Sequence, residues 1–506
     1  MEVDIACVGF GPATAGFLTS WARHLVGPDG TPLVESRVAP GLPLQVVCFE
    51  RADDIGAGVS GVVTRARGIR GTFPDLDPTQ IPLATPVRHE KVVYLLDPIG
   101  ASRRSLALRA ADRALRLAGG LLGVRDHAWE LPWIPPFLHK GGGLVLSLGQ
   151  FMQWVGTGVM STGVVQLWPA TPVTGPFVEE GRVVGVRVID QGTTADGRPA
   201  AGYTPGMDVR AALTVVGDGP IGVVGRQLDE AFGMPEGRHR RDWALGMKMV
   251  VDLPEHATLA PGTVLHTLGY PEPEIFGFLY VHDERTASMG IFVPSWFDSP
   301  VRTAYRYLQH WMQHPYLWPQ LRGGRLRSWG AKSLQESGKQ GEPWLAGEGY
   351  ARIGEGSGST NVLTGSGVDE ASTTGTLLAE GALDLLRAGE PFTKANLERA
   401  YVARRRASWV EQEGQVAERA RNGFQRGVVR GLVGMALAGL TGGRLSPGGT
   451  PARPHERLRS VEDYFAGRVS AEEIARLRRE CAATGAGLHD ALKDRCGWPP
   501  IEHDGQ

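Results

Sequence analysis

The first fifty residues constrain the fold more than any other part of the chain. Residues 3–8 are short and mostly apolar, as a strand would be. Gly9-Phe10-Gly11-Pro12 follows, and from Pro12 the apolar positions Leu18, Trp21, Ala22 and Leu25 recur at the i, i+3, i+4, i+7 spacing of a helix. A second apolar run, 44–49, ends in Glu50. Strand, glycine turn, helix and strand make one βαβ unit. Gly9 permits the tight turn, Gly11 lets a pyrophosphate approach the backbone, and the helix N-terminus offers unpaired N–H groups to an anion. Thr14 stands where GxGxxG has its third glycine, so the helix is expected to pack slightly less closely on the strand. Glu50, ending the next strand, is placed to accept hydrogen bonds from ribose hydroxyls. It comes later than the usual ~20 residues because the Pro/Gly-rich loop 27–43 intervenes. The expectation is a dinucleotide site.

Composition removes several classes. The 506 residues carry 53 Lys plus Arg against 54 Asp plus Glu, a net charge of −1, so the basic excess of a nucleic-acid binder is missing. With 42% hydrophobic residues the chain is no long disordered segment, and its length allows about three domains. Its four cysteines, Cys7, Cys48, Cys481 and Cys496, follow neither CxxC spacing nor a regular framework, so neither a disulfide scaffold nor a metal site is expected. Cys7 and Cys48 fall inside predicted strands and read as small buried hydrophobes. The N-terminus shows no basic stretch followed by an apolar one, and no apolar run reaches about 18 residues. The expected location is the cytoplasm.

Further along, 144–156 reads as a strand entering a helix, and 182–189 with 209–216 as a hairpin. From 243 to 330 the alternating segments 247–251, 277–281 and 287–293 predict a second, mainly antiparallel sheet. Residues 374–386 form an amphipathic helix. Ser470 and Glu473 have capping-box spacing for a helix from Ala471 to about Ala483. Two more glycine turns follow apolar strands, Gly217-Asp218-Gly219 and Gly354-Glu355-Gly356. An acidic residue in such a turn reaches hydroxyls of a ribityl chain. Three such turns on one chain favour FAD over NAD.

With these residues in view, the sequence resembles the electron transfer flavoprotein:ubiquinone oxidoreductases and the related flavoprotein subunit of the nitrogen-fixation electron-transfer complex. The resemblance runs from about residue 1 to 445. It is carried by Gly9 to Gly16, Ile55-Gly56-Ala57-Gly58-Val59-Ser60-Gly61, Leu146 to Trp154, Asp196-Gly197, Gly217-Asp218-Gly219, Gly246-Met247-Lys248, His266-Thr267-Leu268-Gly269, Gly277-Phe278-Leu279-Tyr280 and an ungapped stretch from Gly358 through Asn361, Gly367 and Gly375 to Glu380. It implies an α/β fold: a discontinuous glutathione-reductase-like Rossmann FAD domain (1–242 and 341–390), a mainly antiparallel substrate or quinone domain (243–340), and a helical C-terminal region and tail (391–506) where the family has its iron–sulfur domain. Carried over by position, Gly9, Gly11, Glu50, Ser60, Gly61, Asp218, Glu355, Thr360 and Asn361 are expected to line FAD, with Pro12, Ala13, Thr14, Arg51, Val62, Gly219 and Gly358 beside them. The isoalloxazine ring is expected near the turn after Gly358.

Two departures bear on function. The family holds a four-iron cluster on four cysteines near the C-terminus, and this tail has only Cys481 and Cys496, so the flavin is expected to work without its own cluster. Between Asn361 and Gly375, where the family carries lysines and a histidine, stand Thr364, Ser366, Asp369 and Thr373. That change implies an altered substrate. Asp369 and Glu370 are expected either as general base and partner in proton abstraction or as favourable charges at a helix N-terminus. Lys248 and His266, on strands that face the flavin in the family, are candidates to orient a substrate oxygen. Residues 426–440 are too short to span a bilayer and are a candidate for peripheral membrane contact. Trp129 and Trp133 have three residues between them, instead of the one that separates the paired tryptophans of flavin-dependent halogenases, so no likeness to that family is drawn.

The expected function is electron exchange between FAD and a small, largely apolar organic substrate, through a partner protein, quinone or oxygen. The alternatives are a quinone oxidoreductase using a separate ferredoxin-like partner, a monooxygenase, and a flavin-binding subunit without turnover.

Overall fold

The computed structural model describes residues 1–506 apart from 26, 28–30, 32, 58–60, 302, 366, 422–426, 442–443, 446–451 and 501–506. Five strands run parallel in the order Val165–Trp168, Val46–Phe49, Glu2–Val8, Asp208–Val216, Tyr350–Arg352. Glu2–Val8 is buried from its second residue to its last, as a strand covered on both faces must be. The expected hairpin is present: Arg182–Val188 pairs antiparallel with the first half of Asp208–Val216, and Val173–Glu179 extends it to a three-stranded meander. Cys7 and Cys48 are neighbours in register on adjacent strands, fully buried, and burial pushes both thiols up.

Helix Pro12–Ala22 crosses helix Val368–Arg387 at backbone contact. A Cβ at Gly16 would lie 2.5 Å from the Ser372 carbonyl oxygen, and one at Gly375 would lie 1.9 Å from that of Ala13. The tight crossing thus uses Gly16 rather than position 14. Thr14 is accommodated because the strand-side neighbour is Gly217, whose Cβ would stand 2.4 Å from Thr14 Oγ1.

The second sheet has seven strands, ordered Arg325–Gln335, Trp243–Asp252, Thr286–Pro294, Phe276–Val281, Thr263–Leu268, His89–Leu95, Ala128–Glu130. All neighbours are antiparallel except Thr263–Leu268 with His89–Leu95. Two of these strands come from residues that the sequence assigns to the first segment. His89-Glu90-Lys91 opens His89–Leu95 with three polar residues at the sheet's margin, which hides it from an apolar-pattern search. On one face, Met247, Met249, Leu279, Met289 and Ile291 pack against the tail residues Tyr464, Phe465, Ile474, Leu477, Leu492 and Trp498. The tail helix Ala471–Thr484 starts as expected, with the Ser470 hydroxyl accepting the Glu473 N–H at 3.2 Å. The opposite face meets the parallel-sheet unit.

Candidate functional site

All three glycine turns meet at the carboxyl ends of the parallel strands, where ligands of such sheets bind. Gly9, at φ +82°, sits so close to the next turn that its Cβ would be 2.9 Å from the Gly217 carbonyl; a Cβ at Gly356 would be 2.5 Å from that of Gly219. The helix after Gly11 begins at Pro12, which has no N–H. It carries no acidic residue in its first turn and no side-chain cap, and a Cβ at Gly11 meets nothing within 4 Å. The Ala13 and Thr14 N–H groups, in the first turn, have no acceptor within the helix, and the positive end of its dipole lies there. Thr14 Oγ1 and Ser359 Oγ are buried without a hydrogen-bond partner. Open room at the helix end and orphaned hydroxyls are what a dinucleotide cradle requires, and these residues could hold one.

Glu50 accepts the Phe10 N–H at 2.8 Å and the Ala52 N–H at 2.9 Å, which fixes its carboxylate at the strand end. Arg51 beside it is exposed. Asp218 accepts the Gly225 N–H at 2.9 Å, capping helix Val223–Phe232, and burial pushes its carboxyl up. Glu355 turns toward the second sheet instead of along the turn: it accepts the Gln335 N–H at 2.9 Å and lies 3.6 Å from Lys332 Nζ. Asn361 closes a local turn, its Oδ1 accepting the Leu363 N–H at 3.0 Å, with Gly358 and Thr360 just before it. Val62 is buried on strand Val62–Thr64, paired with Leu146. Gly61 is wedged against the second sheet, where a Cβ would fall 2.0 Å from Ser288 Cβ. Ser60 lies outside the described residues.

Across the sheet face that meets these turns, register aligns one row: Lys248 opposite Gly290, Gly290 opposite Phe278, Phe278 opposite His266. Lys248 Nζ donates to the Gly61 carbonyl at 3.2 Å and stands 5.7 Å from the Phe278 ring, which stacks on Tyr280 at 4.7 Å. Burial and the neighbouring Lys332 pull Lys248 down to about 8. His266 shares a 3.1 Å hydrogen bond with Tyr280, and burial with the charge of Lys140 pulls it down to about 3, so it is a neutral imidazole at physiological pH. The row offers an aromatic floor with one cation and one neutral hydrogen-bonding group.

The acidic pair divides its tasks. Asp369 accepts from Thr64 Oγ1, from the Gly68 N–H at 3.0 Å and from the Ile69 N–H at 3.5 Å, so it caps helix Arg67–Thr72 rather than its own. Both its oxygens are engaged, which leaves it poorly placed as a general base. Glu370, 3% exposed, has one oxygen 3.3 Å from Thr364 Oγ1 and the other unpartnered. The cationic character missing from 361–375 returns from elsewhere in the chain: Lys140, 1% exposed, donates to the Thr364 carbonyl at 2.6 Å. Lys140 and Ser359 were not legible as site residues, a lone lysine and a lone serine without any periodic or motif signal.

Among the described residues, no group of three or more His, Cys, Asp or Glu is placed to hold a metal ion. The family model described as "ETF-QO, ubiquinone-binding" matches residues 243–334. The electron transfer flavoprotein-ubiquinone oxidoreductase of Pseudomonas aeruginosa is 26% identical over 82% of this chain and 69% of its own length. The mitochondrial enzyme of Dictyostelium discoideum is 26% identical over 86% and 67%. The chain thus spans about two thirds of these relatives. Among solved structures, a geranylgeranyl bacteriochlorophyll reductase-like protein from Thermoplasma acidophilum is similar in fold, with TM-score 0.58, 14% identity and coverage of 98% and 99%. The flavin-dependent brominase Bmp2 follows with TM-score 0.52, 15% identity and coverage of 92% and 99%. Taken with the converging glycine turns, these likenesses make the chain an FAD-dependent oxidoreductase that is similar, over most of its length, to the electron transfer flavoprotein-ubiquinone oxidoreductases.

Proposed function

We propose that this protein passes two electrons from FAD to a quinone taken from a membrane surface, with no iron–sulfur relay on its own four cysteines. The reading rests chiefly on one observation: the ubiquinone-binding match falls on the strands whose inner face carries the row Lys248, Phe278 and His266, next to Gly61. In this reading the parallel sheet and its meander are a glutathione-reductase-like FAD domain. Ala13 and Thr14 would hold the pyrophosphate through their N–H groups, Glu50 would hold a ribose, and Gly358–Asn361 would border the flavin ring. The coenzyme supplies two-electron redox chemistry. The chain's part is to hold a flat apolar head group against aromatic rings, with Lys248 and neutral His266 at its oxygens. Cys7 and Cys48 are locked in the parallel sheet, away from Cys481 and Cys496 in the tail, so electrons enter from a separate protein, an electron transfer flavoprotein being the partner that the relatives suggest.

One apolar helix, and a second helical segment with exposed leucines, support a membrane-held site. Helix Val428–Thr441, 14 residues or about 21 Å, is shorter than the ~30 Å hydrocarbon core. No described helix is long and apolar enough to cross a membrane. Its inner side, Leu432 and Met435, packs on Trp296 and Phe276, while Val429, Val433, Leu437 and Leu440 are exposed. Arg426, ahead of it, lies outside the described residues. Helix Leu106–Leu117 is held by Asp112, which accepts from Tyr94 at 2.8 Å and pairs with Arg104 at 2.6 Å; Leu106, Leu117 and Leu121 are more than 80% exposed. Tyr94 and Phe276 share the register of Leu268, so the two helices anchor two strands apart, about 10 Å, on the same sheet.

Replacing Val433 and Leu437 together by Glu is expected to lower partitioning onto lipid vesicles about 100-fold, since each apolar side chain contributes about 1.5 kcal/mol on burial. The same variant should still reduce a water-soluble short-chain ubiquinone at the wild-type rate, but lose reduction of ubiquinone embedded in vesicles. Equal loss with both quinones would count against the membrane reading, and wild-type failure with both would count against the quinone.

A further inference from the structure

Glu370 and Lys140 come from segments 230 positions apart and meet around Thr364, at the end of the turn proposed to hold the flavin ring. Around them lies a cavity of about 20 Å³, lined by Arg65, Arg67, Thr364, Asp369, Trp409 and Glu413 as well as the pair itself. That is room for one water molecule among several polar groups. The cavity reaches outward to the half-exposed Arg67–Glu413 ion pair at 3.3 Å. Inward, Lys140 Nζ is held on the Thr364 carbonyl, and its charge is felt by His266 in the substrate row. A structural ion pair would leave no carboxylate oxygen idle. Here one oxygen of a carboxylate that is 3% exposed has no partner, and its residue lines the cavity.

We propose that Glu370 and Lys140 are a proton-delivery pair, carrying one proton from solvent at the Arg67–Glu413 mouth to the substrate row. The proposal rests on the quinone reading for its acceptor. Reducing a quinone to a hydroquinone forms two O–H bonds. Two electrons and one proton arrive as a hydride equivalent from the reduced coenzyme; the second proton leaves Lys140, which is refilled from Glu370 and, through the cavity, from water. His266 is already neutral and has no proton to spare, whereas Lys140, whose charge His266 feels, is a cation that has one.

The protonation balance suits such traffic. Burial and the Asp369 charge hold Glu370 up, at about 7, while burial, with Arg65 adding to it, holds Lys140 down at about 8; each tempers the other's shift, and Glu90 and Glu413 also face the pair. Glu370 is thus protonated more readily in the folded chain than in the unfolded one. Its contribution to stability is complete below the ordinary glutamate range and is lost as pH rises through about 7.

The test is an infrared titration of the FAD-loaded protein, without quinone, from about pH 5 to about pH 9. Wild type should show a buried protonated-carboxyl band that disappears as pH rises through about 7. Glu370→Gln should lack it, and Lys140→Met should keep it to higher pH, because the cation that favours ionisation is gone. In both variants, reoxidation by short-chain ubiquinone should slow about 100-fold, and in Glu370→Gln the pH break should vanish. A band that survives Glu370→Gln, or does not move in Lys140→Met, overturns the pair; so do wild-type rates in both variants. If wild type shows the titrating band yet no quinone reoxidises it, the acceptor assignment fails and the pair does not.

Discussion

Replacing Gly375 by valine is expected to deprive the protein of FAD and of most of its soluble yield. The Cβ would lie 1.9 Å from the Ala13 carbonyl oxygen and 2.7 Å from the Phe17 nitrogen, both backbone atoms of the helix whose first turn is proposed to receive the pyrophosphate. No rotamer change relieves a clash with backbone. The helices must separate, and overpacking of this kind costs about 3 kcal/mol or more. Separation also displaces the helix N-terminus from the other two glycine turns, so the protein that does fold should bind FAD poorly. Thermal melting and flavin content after purification check both effects. Gly71→Ala is the matched control: Gly71 is exposed in helix Arg67–Thr72, its Cβ meets nothing within 4 Å, and alanine there should be neutral or stabilising by about 0.5 kcal/mol. Equal flavin content in Gly375→Val and wild type would show that this crossing does not support the coenzyme site.

Glu50→Ala is expected to fold and to weaken FAD about 100-fold. In the proposed complex the carboxylate accepts ribose hydroxyls while the Phe10 and Ala52 N–H groups hold it in place. Two hydrogen bonds to a charged acceptor contribute about 1.5 kcal/mol each, together about 3 kcal/mol, hence the factor. Glu50→Gln should fall between, since an amide keeps one acceptor oxygen but turns an N–H toward donors. Reconstitution of apoprotein with FAD, followed by titration calorimetry, gives the constants. An unchanged affinity in Glu50→Ala would move the ribose away from this strand end.

Local features of the fold were legible in the sequence where they need no partner. The strand, turn and helix around Gly9 and Gly11, Glu50 at its strand end, and the Ser470 cap each follow from a few consecutive residues. The features that were not legible depend on contacts across the chain. Thr14 reads as a loose fit until Gly217, on another strand, is seen to make room for it. Asp369 reads as a base or a cap for its own helix because its true partners, Thr64 and Gly68, are 305 and 301 positions away. The segment 361–375 reads as stripped of cations because Lys140 reaches it from 224 positions before Thr364. Strand His89–Leu95 was hidden by its three polar leading residues. Apolar periodicity reports burial, and a site assembled from polar side chains on separate segments leaves little trace in it.

Reduced flavin in this chain is expected to discharge directly to a quinone. The most direct measurement is single-turnover reoxidation: the holoprotein is reduced by light under anaerobic conditions, mixed rapidly with short-chain ubiquinone or with oxygen, and followed by flavin absorbance. Reoxidation by the quinone at least about tenfold faster than by oxygen, a barrier difference of about 1.4 kcal/mol or more, is the predicted result. A flavin that stays reduced with the quinone, or that oxygen reoxidises faster, would contradict it.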